Sequence, residues 1–220
     1  LATSKVEGMA AEISSVLASA ATLTRSIAAL TESLPNDPQR LTEHLDNLID
    51  HYNDASVAGG GIWPEPDALI PGKARASLFW ARSDKGLALL DDYNDPAGSG
   101  YHNESWYRVG KSLAPGQCGW SEVYFDMASG VAMTTCTVAI RKDGQFWGVA
   151  TIDLKLAGME RLLQSQNQSS GGYAVAIDQT GRIIGLPELR TSGLATLTLQ
   201  EARQADASLT PLISALQSPA

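Results

Sequence analysis

The chain has 220 residues, 44% of them hydrophobic, and a formal net charge of −8 at pH 7, which is length and apolar content enough for one large or two small packed domains. Its acidic balance and lack of a Lys/Arg cluster exclude a nucleic-acid or anionic-lipid surface, since both need clustered cations against phosphate. No apolar run is expected to reach the roughly 20 residues of a membrane-spanning helix, and the first residues lack a signal peptide's basic-then-apolar order, so the chain as given reads as soluble.

Val6, Met9, Ile13, Val16, Ala20, Leu23, Ile27, Leu30 and Leu34 recur at alternating spacings of three and four, which predicts one long helix from Thr3 to Ser33 with a heptad seam. Such a seam serves either a partner helix, giving a homodimer, or the helix's own domain. Pro35 stops it. Asn36-Asp37-Pro38 then caps a second helix through about Tyr52, and Gly59-Gly60-Gly61 reads as a break.

Ala76 to Ala81 reads as a strand, and Asn94 to Gly100 is a loop dense in turn residues. The clearest hairpin runs from Met133 to Ile140, through Arg141-Lys142-Asp143-Gly144, and back along Gln145 to Asp153. A helix from Leu156 to about Gln166 follows, and Gln168 to Gly172 forms a flexible boundary. Beyond it Val138-Ala139-Ile140, Gly144 and Gly148 reappear as Val175-Ala176-Ile177, Gly181 and Gly185, at an offset of 37 residues.

One more helix, Leu199 to about Gln217 with an interruption near Pro211, completes the chain. A lone hairpin with one helix is marginal, so this second module is incomplete or leans on the first. The pattern predicts an α+β fold: a long N-terminal helix and two modules with antiparallel sheets. The expected divisions are residues 1–57 for the helices, 58–167 for the first module and 168–220 for the partial second.

Trp106-Tyr107, and Trp120 with Tyr124 and Asp126, precede a strand that ends on Asp153. Aromatic faces beside carboxylates are what a small cation needs. Each residue also has a plainer role: Asp153 as a helix cap, the tryptophans as core. Cys118 and Cys136 flank the second cluster at a spacing that fits no common zinc site; they form a disulfide in an oxidising compartment or remain two buried thiols. The chain contains no Gly-x-Ser-x-Gly, His-Glu-x-x-His or phosphate-binding loop. A sensor is therefore expected rather than an enzyme, with no metal or cofactor.

Trp106-Tyr107, Tyr124-Phe125-Asp126, Met133-Thr134-Thr135 and Gly148-Val149-Ala150-Thr151-Ile152-Asp153 together resemble the double Cache, PAS-like extracytoplasmic sensor domain of bacterial transmembrane receptors. Gly61-Ile62-Trp63-Pro64-Glu65-Pro66, Asp91-Asp92-Tyr93-Asn94 and Gly100-Tyr101-His102 make the ectodomains of diguanylate cyclases and histidine kinases the nearest in look. The resemblance implies two PAS-like modules, the membrane-distal one binding the ligand, on the periplasmic or extracellular side of an inner-membrane protein. It also implies membrane helices in the full-length receptor.

In amino-acid-binding members an arginine two positions before the tryptophan holds the ligand carboxylate, while a Tyr-x-Asp and a strand-ending Asp hold its ammonium. Tyr124, Asp126 and Asp153 match the ammonium half. The arginine position is Glu104, which would repel a carboxylate. The resemblance thus implies a small cationic amine held by Glu104, Trp106, Tyr107, Tyr124, Asp126 and Asp153, with an amino acid or a ligand-free dimerisation module as alternatives.

Overall fold

A computed structural model of the chain describes residues 2–126, 130–159, 161, 163, 175–185 and 196–217. Helix α1 spans Ala2–Ser33 and ends just before Pro35, which cannot continue it. Helix α2 spans Pro38–Asp50, with proline in its first turn and Asp37 as N-cap accepting from the Gln39 and Arg40 amides. Both helices lie on one face of a sheet.

The sheet has seven strands: β1 Val57–Pro64, β2 Leu78–Ser83, β3 Gly86–Leu90, β4 Cys118–Trp120, β5 Tyr124–Asp126, β6 Val131–Lys142 and β7 Gln145–Lys155. Their order is β3-β2-β1-β7-β6-β4, with β5 also paired to β6, and every pairing is antiparallel. Helix α3, Ser105–Ser112, packs on the opposite face from α1. The hairpin loop closes on two residues, Asp143 and Gly144, both with positive φ. That is the primed turn matching strand twist, tighter than the four-residue turn expected.

Residues alternate between two cores. Trp80, Cys136, Val138, Ile140, Ala150 and Ile152 meet Leu23 and Ile27 of α1 and Leu41, Leu45 and Ile49 of α2. On the other side Trp63, Phe79, Ala81 and Val149 meet Tyr101, Trp106 and Tyr107. The period-two alternation of β2, β6 and β7 divides the residues this way.

Three sequence expectations are corrected. Gly59-Gly60-Gly61 is no break but lies inside the wholly buried β1, where a Cβ on Gly61 would collide with the Leu78 carbonyl of the next strand; glycine here permits close strand approach. The strand begins at Leu78 rather than Ala76. Among the described residues one helix, Glu7–Ser33 of mean hydropathy 1.4, is long and apolar enough to cross a membrane by length and composition. Alanines outside the heptad seam, such as Ala10, Ala11 and Ala29, add to that mean.

Within that helix Leu23, Ile27 and Ala28 are buried in the sheet-facing core. The hydroxyls of Thr24 and Thr31 turn back onto the carbonyls four residues earlier, at 2.7 and 2.8 Å. The C-terminal half of the seam is thus used by the domain itself.

The repeated hairpin exists: β8 Ala176–Ile177 pairs with β9 Ile183–Gly185. The helix Leu199–Ala205 starts at a Thr198/Glu201 capping box and is separated from Thr210–Gln217 by a short 3-10 turn. Ile183, Ala202, Leu209 and Ile213 form their own small core, and the Val123 amide donates to Asp178 at 3.2 Å. Helical backbone begins at Leu156. The expected end of that helix near Gln166 and the 168–172 boundary lie outside the described residues.

Candidate functional site

On the α3 face a cavity of about 400 Å³ is lined by Arg75, Asp92, Tyr93, Gly98, Ser99, Gly100, Glu104, Trp106, Tyr124, Phe125 and Asp126. That is within the size range of small-molecule sites. Strand β5 supplies Tyr124 and Asp126 together because residues two apart share a strand face. Phe125, half exposed at 52%, stands at the rim.

Glu104 occupies the N-cap position of α3, yet its side chain makes no capping hydrogen bond. The carboxylate faces the cavity instead. Two residues on, Trp106 is buried, its ring centroid 4.7 Å from that of Trp63. Tyr93 sits on a 3-10 turn, edge-on to both Trp63 at 5.1 Å and Phe79 at 5.5 Å. A rigid aromatic cluster therefore backs the polar lining.

The polar groups form two chains. Tyr93 Oη donates to Asp126 Oδ1 at 2.9 Å. Tyr124 Oη lies 2.7 Å from Thr135 Oγ1, which donates to Asp153 Oδ1 at 2.7 Å. Asp153 is buried beneath this layer and does not line the cavity.

The field here is negative. Burial, then Asp126, raises the Glu104 carboxyl above its ordinary range, with Arg108 opposing. Burial pushes Asp153 up to about 7, against its Thr135 hydrogen bond and with help from Asp126. Tyr93 and Tyr124 are raised by burial first and by neighbouring aspartates next. Like charges gathered in a partly dry site disfavour one another's ionised forms, and a cation would relieve that.

Of the six sequence-derived site residues, the cavity unites Glu104, Trp106, Tyr124 and Asp126. Asp153 stands behind Tyr124 and Thr135. Tyr107 is placed elsewhere: its hydroxyl donates to Glu65, which also pairs with Lys111 at 2.8 Å. The adjacent position on a helix points about 100° away, so Trp106 and Tyr107 cannot share a pocket. Trp120 packs into the core on the opposite sheet face.

Arg75, Asp92 and Tyr93 also line the cavity and are not among the six expected site residues. Asp91-Asp92-Tyr93-Asn94 carried a signal, a tyrosine inside an acidic turn. Arg75 carried none, being a basic residue in a loop. Its guanidinium donates to the Asp95 carbonyl and lies against Gly100, where φ is 82° and a Cβ would come within 2.7 Å of Nη2. The positive φ favours glycine there, and a side chain would also displace the guanidinium.

Cys118 and Cys136 are joined as a disulfide with their Cα atoms 5.7 Å apart. The bridge links β4 to β6 beside Thr135. Among the described residues no group of three or more His, Cys, Asp or Glu is arranged to hold a metal ion.

Residues 41–161, more than half of the chain and including every residue that lines the cavity, match the model of the methyl-accepting chemotaxis protein-like, first PDC sensor domain. The chain is 30% identical over 117 residues to the methyl-accepting chemotaxis protein McpC of Bacillus subtilis, covering 53% of this chain and 16% of that receptor; it thus spans about a sixth of the relative's length. Among solved structures, the extracellular domain of soHK1S-Z6, described as a histidine kinase, superposes with a TM-score of 0.64 at 27% identity, covering 92% of this chain and 76% of that one. The ligand-binding domain of the Pseudomonas aeruginosa PAO1 amino acid chemoreceptor PctC, in complex with GABA, superposes with a TM-score of 0.63 at 22% identity, covering 88% of this chain and 77% of that one.

Proposed function

The chain belongs to the methyl-accepting chemotaxis protein-like family of first PDC sensor domains, and from that membership we propose that it is the extracytoplasmic sensor of a bacterial transmembrane receptor whose ligand is a small cationic amine. The observation that carries this reading is the convergence of Glu104 and Asp126 with the rings of Trp106, Tyr93 and Tyr124 on one cavity. A carboxylate accepts charge-assisted hydrogen bonds from an ammonium, and each ring face adds about 0.5 to 2 kcal/mol. Glu104 and Asp126 together favour a diamine over a monoamine.

A second reading has one observation of its own: Arg75 lines the same cavity. A ligand with an ammonium toward Asp126 and a carboxylate toward Arg75 would use both ends, as an amino acid with well-separated charges does. Thermal unfolding against an amine and amino-acid library distinguishes the two. A ligand at about 100 times its dissociation constant stabilises by roughly 2.7 kcal/mol. Stabilisation by 1,4-diaminobutane, unchanged in Arg75→Gln, supports the amine; stabilisation by 4-aminobutanoate alone, lost in Arg75→Gln, supports the zwitterion.

The same reading assigns residues 58–167 to the ligand-binding module, 168–220 to a partial membrane-proximal one, and the N-terminal helices of residues 1–57 to transmission, in a homodimer flanked by membrane helices. The disulfide supports an oxidising, periplasmic or extracellular setting. In α1 the half-buried Ile13, Val16 and Leu17 are the surface available to a partner helix. Crosslinking at Ile13, which is only half-buried, tests this against Ile27, buried in the domain's own core.

A further inference from the structure

Register places Thr135 opposite Asp153 across β6 and β7, and Tyr124 opposite Met133 across β5 and β6. A hydroxyl has one hydrogen. Thr135 commits its own to Asp153 Oδ1, so the 2.7 Å contact between Tyr124 and Thr135 is completed by the tyrosine's hydrogen. Tyr124 is then left with lone pairs only to turn toward the cavity it lines. Its orientation is set from behind, by a carboxylate that does not line the cavity.

We propose that Thr135 and Asp153 are positioning residues that set the polarity of the ligand site: an ionised Asp153 holds Tyr124 as an acceptor for an ammonium, and a protonated Asp153 reverses the chain and turns Tyr124 into a donor. This rests on the amine reading of the cavity and adds to it how that site selects its ligand. The titratable groups facing Asp153 are Asp126 and Tyr124 from β5 and Tyr93 from the turn after β3. Glu104 acts on Tyr93 from the N-terminus of α3. On the other side Asp153 pairs with Gly59 of β1, which brings no charge.

Burial holds Asp153 near neutrality, at about 7. Below that value the carboxyl keeps its proton and above it the charge appears, so ammonium affinity rises with pH through this window until the amine loses its own proton. A neutral Thr135→Val breaks the chain without adding charge, and Thr135→Ser restores the hydroxyl.

The first test needs no ligand. In protein labelled with 13C-tyrosine, the Tyr124 ζ-carbon shift is expected to titrate with the midpoint of the Asp153 carboxyl carbon, to lose that dependence in Thr135→Val and to keep it in Thr135→Ser. The second uses calorimetry with 1,4-diaminobutane. Affinity should increase about tenfold from pH 6 to pH 8 in the wild type and Thr135→Ser, and change less than about twofold in Thr135→Val and Asp153→Asn. A Tyr124 signal indifferent to Asp153, or a pH profile unchanged in Thr135→Val, would overturn the proposal. Tyr124 tracking Asp153 while no amine binds would uphold the chain and sink the amine reading.

Discussion

Tyr93 Oη and Asp126 Oδ1, 2.9 Å apart, join the turn after β3 to strand β5 across the candidate ligand site. The ring of Tyr93 is held independently, edge-on against Trp63 and Phe79. The hydroxyl and the ring can therefore be separated by mutation. Tyr93→Phe should keep the fold and lose about 1 kcal/mol of stability, the net value of one hydrogen bond, in urea unfolding. A loss of several kcal/mol would mean that the hydroxyl holds more than Asp126.

Asp153 predicts a pH dependence of stability. Its folded value, about 7, lies above the ordinary aspartate range, so the native state keeps a proton that the unfolded chain releases. Stability from this group is full below about pH 4 and declines as pH rises toward 7, then levels off. Thermal melts of the ligand-free domain should show Asp153→Asn gaining on the wild type by up to a few kcal/mol between pH 5 and pH 8. A constant difference across that range would place the Asp153 charge elsewhere.

Gly110 of α3 lies directly on β6 and β7, where a Cβ would collide with Val149 Cγ1 and come within 3.0 Å of Thr137 Cγ2. Gly110→Ala should cost about 1 to 3 kcal/mol by overpacking and shift the helix that carries Glu104 and Trp106. Ligand affinity and stability should fall together in this variant, measured by calorimetry and chemical unfolding. Unaltered affinity would show the cavity to be insensitive to the seating of α3.

Arg82 locks the scaffold. Its buried guanidinium donates to the Val57 and Asp50 carbonyls and to Asn53 Oδ1, and pairs with the Asp50 carboxylate at 3.0 Å. The turn it holds, His51 to Asn53, has three consecutive positive φ values, a conformation such residues rarely adopt unaided. Arg82→Met should destabilise by roughly 2 to 5 kcal/mol while leaving the cavity residues in place. A mild effect in urea unfolding would contradict this account.

The periodic parts of the fold were legible in the sequence. Asp37-Pro38 announced a helix start, and the β6–β7 alternation and Asp143-Gly144 announced a hairpin, because these signals are local. Gly59-Gly60-Gly61 misled because glycine marks both a chain break and a close strand approach, and only the neighbour across the sheet distinguishes them. In the site, Tyr124 and Asp126 were legible as the Tyr-x-Asp of the family resemblance, whereas Tyr107 was misplaced by adjacency to Trp106. Arg75 was invisible: its place in the cavity depends on Gly100 and Asp95, some twenty residues away in sequence.

Whether Asp126 holds an ammonium is decided by calorimetric titration of 1,4-diaminobutane into the wild-type domain and Asp126→Asn at about pH 8. One-site binding to the wild type and a loss of about 30-fold or more in the variant, equivalent to about 2 kcal/mol, are expected. Equal affinity in the two proteins, or no binding to the wild type, would contradict that role of Asp126.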